Sequence, residues 1–394
     1  MFTKMSAGGL GLPHPHTVYY ADHLAFYLSI LNCDDPYVRH TARESLTLHM
    51  AKRKIATAVI GQKSFAGFSV IGDKLDKRAK VNWPRSNWVH LFEMLNREKI
   101  ELKLNIDGLY TYHVTVDDGI VYQIESPTGF SMFYKDNKYT EFHRLLLDKE
   151  VQGRITREAT DIDMTSSAHV LKNHNVKDEV RSFVLKGRLQ LLPCRSLLHT
   201  YYPATYSKVC SLCNHPTDTV SHALNGCTKY SSNYQARHNR IVDLVHDKVV
   251  AYNANIKVIK DHIVKPNDFI ETHSPSFETQ ARRPDIILID KQNRTVKIVE
   301  VQVPFDAFLK LSYQTKFEKY VPLSMEINAL GFYTEIIVLI VGSLGSVHNK
   351  FSSGLVHLGL TKHEANFLTK YCSISAILGS NIVWNLMRRD AHHM

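Results

Sequence analysis

Long apolar runs are missing from this sequence of 394 residues. The stretch 336–341 (IIVLIV) is far short of the roughly 20 residues needed to cross a bilayer as a helix. The opening MFTKMSAGGLGL is small and glycine-rich and holds no signal-peptide core. These absences point away from a secreted or membrane-spanning protein. Cysteine is scarce too: there are six, and Cys33, Cys194 and Cys372 stand apart from one another. That is no disulfide framework. Internal repeats and low-complexity tracts are also lacking. What is present is an ordinary globular composition, 44% hydrophobic, which argues against a chain disordered throughout. The length suggests two to three domains. A surplus of 48 Lys and Arg over 38 Asp and Glu, +10 in all, favours a polyanionic partner.

Along the chain the pattern changes from helical to mixed. In residues 1–60, Leu24, Tyr27, Leu28 and Leu31 recur at helical spacing, and Asp34-Asp35-Pro36 separates them from a second stripe of Val38, Ala42, Leu46 and Met50. Residues 52–103 carry twelve Lys and Arg against five acids. Within them, Ser86 is placed to cap a helix bearing Trp88, Leu91, Phe92 and Leu95. LYTYHVTV, the turn Asp117-Asp118-Gly119 and IVYQI read as a hairpin. From about 139 to 200 the pattern is again helical and basic. Residues 170–210 hold seven Lys and Arg, among them Lys186, Arg188 and Arg195, and two acids. Such a run serves equally as a solvated helix face or as a nucleic-acid track. Farther on, DIILID (285–290), a polar turn, TVKIVEVQV (295–303), a helix from about 306 to 328, EIIVLIVG (335–342) and a helical tail predict an α/β arrangement on a mixed sheet.

Two clusters carry chemistry. Cys210-x2-Cys213-x8-His222-x4-Cys227 offers three thiolates and an imidazole within eighteen residues, the donor set of a closed, structural zinc site. His215 is a rival ligand, but two residues after Cys213 it would crowd the turn, so His222 is preferred. Four protein ligands leave no open position for catalysis. The second cluster is Asp285 and Glu300, fifteen residues apart on two strands joined by a short turn. Paired carboxylates at one sheet edge can bind magnesium, which favours oxygen ligands, and a cation there can activate water and stabilise charge on a scissile phosphate. Glu300 sits among Val299, Val301 and Val303, a costly place for a charge without a partner. The rival reading puts Glu300 on the solvent face of an edge strand.

Arg283-Pro284-Asp285, fourteen residues and Glu300, downstream of the Cys3His pattern, resemble the restriction-like endonuclease of site-specific LINE-type retrotransposon proteins. That nuclease is a relative of the PD-(D/E)xK fold. Gly8-Gly9-Leu10-Gly11-Leu12-Pro13 looks like the start of the thumb that follows the reverse-transcriptase palm in these proteins. The resemblance implies an α+β, α/β multidomain chain: a thumb-like region and linker at 1–150, a basic helical linker at 151–205, a zinc knuckle at 206–240 and a restriction-endonuclease-like mixed-sheet domain at 241–394. It implies Asp285 and Glu300 as magnesium ligands, Lys316 to position or activate water, Tyr320 to support the phosphate contact and Arg283 as a phosphate neighbour. Lys186, Arg188 and Arg195 would touch nucleic acid. Target DNA and element RNA are the implied partners, with no membrane, and the nucleus is the implied compartment.

Two departures bear on this reading. Gln302 stands where the PD-(D/E)xK lysine belongs, two residues after the second acid. The retrotransposon branch takes its lysine from the following helix, where Lys316 and Tyr320 lie four apart on one face, with Lys319 a competitor. Tyr20-Ala21-Asp22-His23 superficially resembles a polymerase motif but lacks its second Asp, and is expected to be helix surface. With no palm ahead of it, the chain is expected to cleave and bind but not to polymerise. An inactive or domesticated nucleic-acid-binding protein is the alternative.

Overall fold

The computed structural model describes residues 13–52, 87–116, 119–158, 161–173, 175–271 and 276–392. The chain divides into two compact units, with the boundary between Arg144 and Leu145. The stretch Gly8 to Leu12, Ser86, residues 53–86 of the basic segment and the Asp117-Asp118 turn lie outside the described residues.

The first unit begins with α1 (Pro15–Leu31) and α2 (Pro36–Lys52). His14 Nδ1 accepts from Thr17 N–H to cap α1. Asp35 Oδ1 accepts from Tyr37 and Val38 N–H to cap α2. Proline occupies the first position of both helices, where its missing N–H costs nothing. α3 (Asn87–Glu98) buries Trp88, Leu91, Met94 and Leu95. A three-stranded antiparallel sheet follows, β1 (Ile100–Leu104), β2 (Tyr110–Thr115) and β3 (Val121–Ile124), and then α4 (Pro127–Leu147). The expected hairpin is β2–β3. β1, at the end of the basic segment, is not among the expected elements, although Ile100, Leu102 and Leu104 alternate. α4 starts a dozen residues earlier than the helical pattern suggested, because Ser126 Oγ accepts from Gly129 N–H and Pro127 opens the helix. One expectation is corrected here: Tyr20 and Ala21 are buried, on the same face of α1 as Leu24, Leu28 and Leu31, and only Asp22 is exposed, paired with Lys135 at 2.8 Å.

The second unit carries α5 (Asp178–Arg188), α6 (Arg195–Tyr201), α7 (Val220–Asn225) and α8 (Ser231–Tyr252), with short helical turns ahead of α5. Its sheet has the order β4 (Lys257–Lys260), β5 (Ile286–Asp290), β6 (Thr295–Gln302), β7 (Tyr333–Ile340). The first three strands are antiparallel and β7 runs parallel to β6. α9 (Leu309–Ala329) makes the crossover that a parallel pair requires. α10 (Phe351–His357) and α11 (Lys362–His392) complete the unit. Mixed helix and sheet, the coarse form of the expected fold class, is therefore what the chain adopts.

Both faces of this sheet are covered. Ile241, Val245 and Val249 of α8 and Ala365, Leu368 and Ala376 of α11 pack with Leu288, Val299, Val301 and Leu339 on one face. Tyr320, Leu323 and Ile327 of α9 pack with Ile287, Ile289, Val296 and Ile298 on the other. Burial on both sides is why β5 and β7 read as continuous apolar runs. It also makes Glu300, 4% exposed near the C-terminal end of β6, the exception to be explained.

Candidate metal and carboxylate sites

Cys210, Cys213, His222 and Cys227 come together, their ligand atoms all within 4.8 Å of one another. Local hydrogen bonds fold the loop for this. Asn214 adopts a left-handed φ of 60° and its N–H donates to Cys210 O, closing the turn between the first two cysteines. Thr219 Oγ1 caps α7 by accepting from His222 N–H, and Cys227 N–H donates to His222 O. Cys213 Sγ lies 3.4 Å from His222 Nε2, the separation expected of two ligands on one tetrahedral ion with bonds near 2.0–2.3 Å. Cys210, His222 and Cys227 are buried, in a core shared with Phe305, Ile377 and Trp384.

Burial pushes the Cys227 thiol up to about 12 and raises Cys210 as well. At Cys213 burial acts the same way, but hydrogen bonds from His215 N–H and from the Cys227 and Cys210 side chains outweigh it and leave the thiol below its usual value. His222 is lowered by burial, against the pull of Asp218, and stays neutral as a ligand must. His215 stands outside the four; its ring stacks on His222 at 4.3 Å. The four residues can hold a metal ion, and three sulfurs with one imidazole are compatible with structural zinc.

The carboxylates meet at the far end of the β5–β6 pair. Ile286 is opposite Val299 in the antiparallel register, so one further step sets Asp285 opposite Glu300. Glu300 Oε1 accepts from Lys316 Nζ at 2.6 Å and from Lys319 Nζ at 3.4 Å, and Oε2 accepts from Tyr320 O–H at 2.7 Å. The same hydroxyl contacts Arg283 O at 3.0 Å, tying the segment ahead of Asp285 to the buried acid. Burial, then the charge and hydrogen bond of Glu300, push the Tyr320 phenol well above its usual range, so it remains a donor. Glu300 is thus buried because three donors on successive turns of α9 meet it, which is what a charge in a dry core requires. The rival placement of Glu300 on a solvent face does not occur.

Asp285 is more open. Its Oδ2 accepts from Val301 N–H at 2.7 Å and lies 3.4 Å from His238 Nε2. His238 also sits 2.9 Å from Val301 O. Burial disfavours the imidazolium, but the hydrogen bond and charge of Asp285 prevail and raise His238 to about 9.

The other expected contacts are dispersed. Arg283 makes a two-pronged pair with Asp261, both contacts 2.8 Å, and is exposed. Lys186 is exposed on α5. Arg188 donates Nη2 to Ser167 O and Leu344 O. Arg195 donates Nε to Ser207 O and its backbone N–H to Asp218 Oδ2. Gln302 Oε1 is buried without a partner.

Sequence reasoning overlooked His238. The signal was available: in α8 the stripe Ile241, Val242, Val245, Val249 continues backward at helical spacing to 238, so this histidine lies on the sheet-facing side at the strand ends. It also overlooked Arg237, buried in the same turn and tied to Leu224 O and Ser380 Oγ. No family model matches this chain, and comparison with curated proteins finds no match either.

Proposed function

We propose that this chain is a divalent-metal-dependent DNA endonuclease with a zinc-stabilised nucleic-acid-binding module, the cleaving part of a LINE-type retrotransposon protein. It would nick target DNA to expose a 3′ hydroxyl for target-primed reverse transcription. The observation that carries the reading is the convergence of Lys316 and Tyr320 on buried Glu300, with Asp285 opposite in the strand register. This spends buried charge at a strand end where packing alone would favour an apolar residue.

Asp285 and Glu300 are the residues that would hold magnesium; the donors are all carboxylate oxygens, which suit a hard cation. When bound, that ion supplies Lewis-acid stabilisation of the phosphate and a more acidic water. The chain's own groups do the rest. Lys316 stands at the mouth of the site, a quarter exposed, where its ammonium can orient a water or phosphate oxygen while holding Glu300. Tyr320 fixes the Glu300 carboxylate and the Arg283 backbone in one geometry. His238 keeps Asp285 turned toward the end of β6. Target DNA, with element RNA as a second polyanion, and a nuclear site of action go with this reading. Binding would weaken by roughly three to five decades between 50 and 200 mM salt for 6–10 phosphate contacts.

A second reading, a nucleic-acid-binding protein without cleavage, is favoured by Gln302 at the usual lysine position and by the two ammonium groups that already occupy Glu300 Oε1. Plasmid nicking with magnesium separates the two. Wild type should nick, and Asp285→Ala and Lys316→Ala should not. Equal nicking by all three proteins, or none by any at protein excess, overturns the endonuclease.

A further inference from the structure

We propose that a cleft beside the carboxylate site seats an unpaired nucleobase of a DNA strand, with Asn225 and Arg237 meeting its polar edge. This rests on reading the face as a nucleic-acid site and names what the site takes besides a phosphodiester. The cleft has a volume of ≈ 860 Å³, within the range of small-ligand sites. His222 of the Cys3His module, the start of α8, the segment after β6 and Lys316 of α9 line it. Among the described residues lining it there is no carboxylate, and the nearby Asp285 and Glu300 are paired with the lining residues His238 and Lys316.

Asn225 and Arg237 donate to one carbonyl, Val303 O: Nδ2 at 2.8 Å and Nη2 at 3.5 Å. A carbonyl only accepts, so the Asn225 amide is oriented by this contact and its Oδ1 is left as an acceptor. That Oδ1 is buried without a partner, and so are Arg237 Nε and Gln302 Oε1. All three residues line this cleft. An unpaired buried polar atom costs about 1–3 kcal/mol, and three around one cavity mark it as built for a ligand. Phosphate oxygens only accept; they would satisfy Arg237 Nε and leave both amide oxygens orphaned. A nucleobase edge carries N–H donors beside acceptors and satisfies both kinds. Tyr234 and Phe308, also on the wall, are aromatic; Arg237 and Arg154 each cover one side of these rings at 5.4 Å, so stacking of a base would use the other side. The orphaned atoms lie beneath the surface, so seating a base involves a side-chain rotation at the floor.

Binding of the full chain, without added magnesium, to oligodeoxycytidylate, whose N4 amino group carries two N–H donors beside the N3 and O2 acceptors, and to an abasic deoxyribose-phosphate oligomer of equal length tests this. Wild type should prefer the cytosine oligomer by about tenfold or more, from one stacked and hydrogen-bonded base. Asn225→Leu and Gln302→Leu should each lower that preference at least ~threefold and leave affinity for the abasic oligomer unchanged. Equal affinity of wild type for the two oligomers, or a preference that survives in both variants, overturns the proposal. If Asn225→Leu fails to fold, Gln302→Leu decides, since Gln302 Oε1 holds nothing in place. Base preference without nicking would sink the endonuclease and leave this inference standing; nicking without base preference would do the reverse.

Discussion

Lys316 Nζ and Glu300 Oε1 are 2.6 Å apart, joining the crossover helix to the strand before it. Lys319 reaches the same oxygen at 3.4 Å and is more exposed. If the chain is the endonuclease proposed above, the shorter contact favours Lys316 over Lys319 as the working ammonium. Lys316→Ala should lower the nicking rate by about 10² or more, in line with loss of a charge placed beside the reacting phosphate. Lys319→Ala should cost less than about tenfold. Initial rates on supercoiled plasmid, at protein concentrations that saturate binding, give the comparison.

Tyr320→Phe isolates one hydroxyl. The ring is fully buried against Leu323 and Ile327, and phenylalanine keeps that packing. What goes is the bond to Glu300 Oε2, the contact with Arg283 O and the bond accepted from Lys319 Nζ at 2.9 Å. A buried carboxylate oxygen left without its donor should destabilise the fold by about 1–3 kcal/mol. A urea titration should show a lower midpoint at unchanged slope.

These sites were legible in different degrees. The Cys3His cluster was readable because its four ligands fall within eighteen residues and one loop-and-helix turn assembles them. Asp285 and Glu300 were readable because a short hairpin fixes which residues oppose each other. His238, Asn225 and Arg237 were not read, since their partners lie far off in sequence: His238 meets Val301, and Asn225 and Arg237 meet Val303. β4 escaped because four residues, two of them lysine, give too little alternation to count, a composition typical of a guarded sheet edge. Tyr20 and Ala21 were expected on the helix surface because the apolar stripe was followed only from Leu24 onward, while the buried face of α1 extends back through them to Thr17.

Arg188 and Lys186, two residues apart on α5, should behave differently despite sharing a basic stretch. Arg188 binds the Ser167 and Leu344 carbonyls, so Arg188→Ala should lower stability by about 1–3 kcal/mol. Lys186 is exposed. Lys186→Ala should leave stability within about 0.5 kcal/mol of wild type and, if it touches a phosphate, reduce the slope of log affinity against log salt by about 1. Chemical unfolding and salt-titrated DNA binding on both variants check the division.

His348 is buried, its ring stacked on Tyr313 at 4.5 Å and nearly parallel. Burial lowers its pKa, Asp161 opposes that and Lys350 adds to it. The unfolded chain therefore takes up a proton near 6.5 that the folded chain refuses. Stability from the neutral ring is complete above 6.5 and is lost as the pH falls through it toward the lower folded value. His348→Phe, which stacks without titrating, should lose less stability than wild type between pH 8 and pH 5.5. Unfolding midpoints at the two values give the difference, and an equal loss in both proteins would show that another group carries the acid sensitivity.

Metal removal should act on the fold before it acts on any chemistry. Cys210 and Cys227 lie in one core with Val220, Leu224, Ile377 and Trp384, so the module is part of the second unit's interior. Without an ion, thiolates brought within 4.8 Å of one another have nothing to neutralise them, and reprotonated thiols lose the geometry that holds α7 against α11. One zinc per chain is the expected content by elemental analysis. Cys227→Ser, or extraction with a strong chelator, should lower the thermal midpoint by several degrees or more, as loss of a few kcal/mol does in a domain of this size. Restored zinc should recover the midpoint of the extracted wild type and not that of Cys227→Ser. A chain that holds no zinc, with an unfolding midpoint indifferent to chelator, would make these four residues an ordinary thiol cluster.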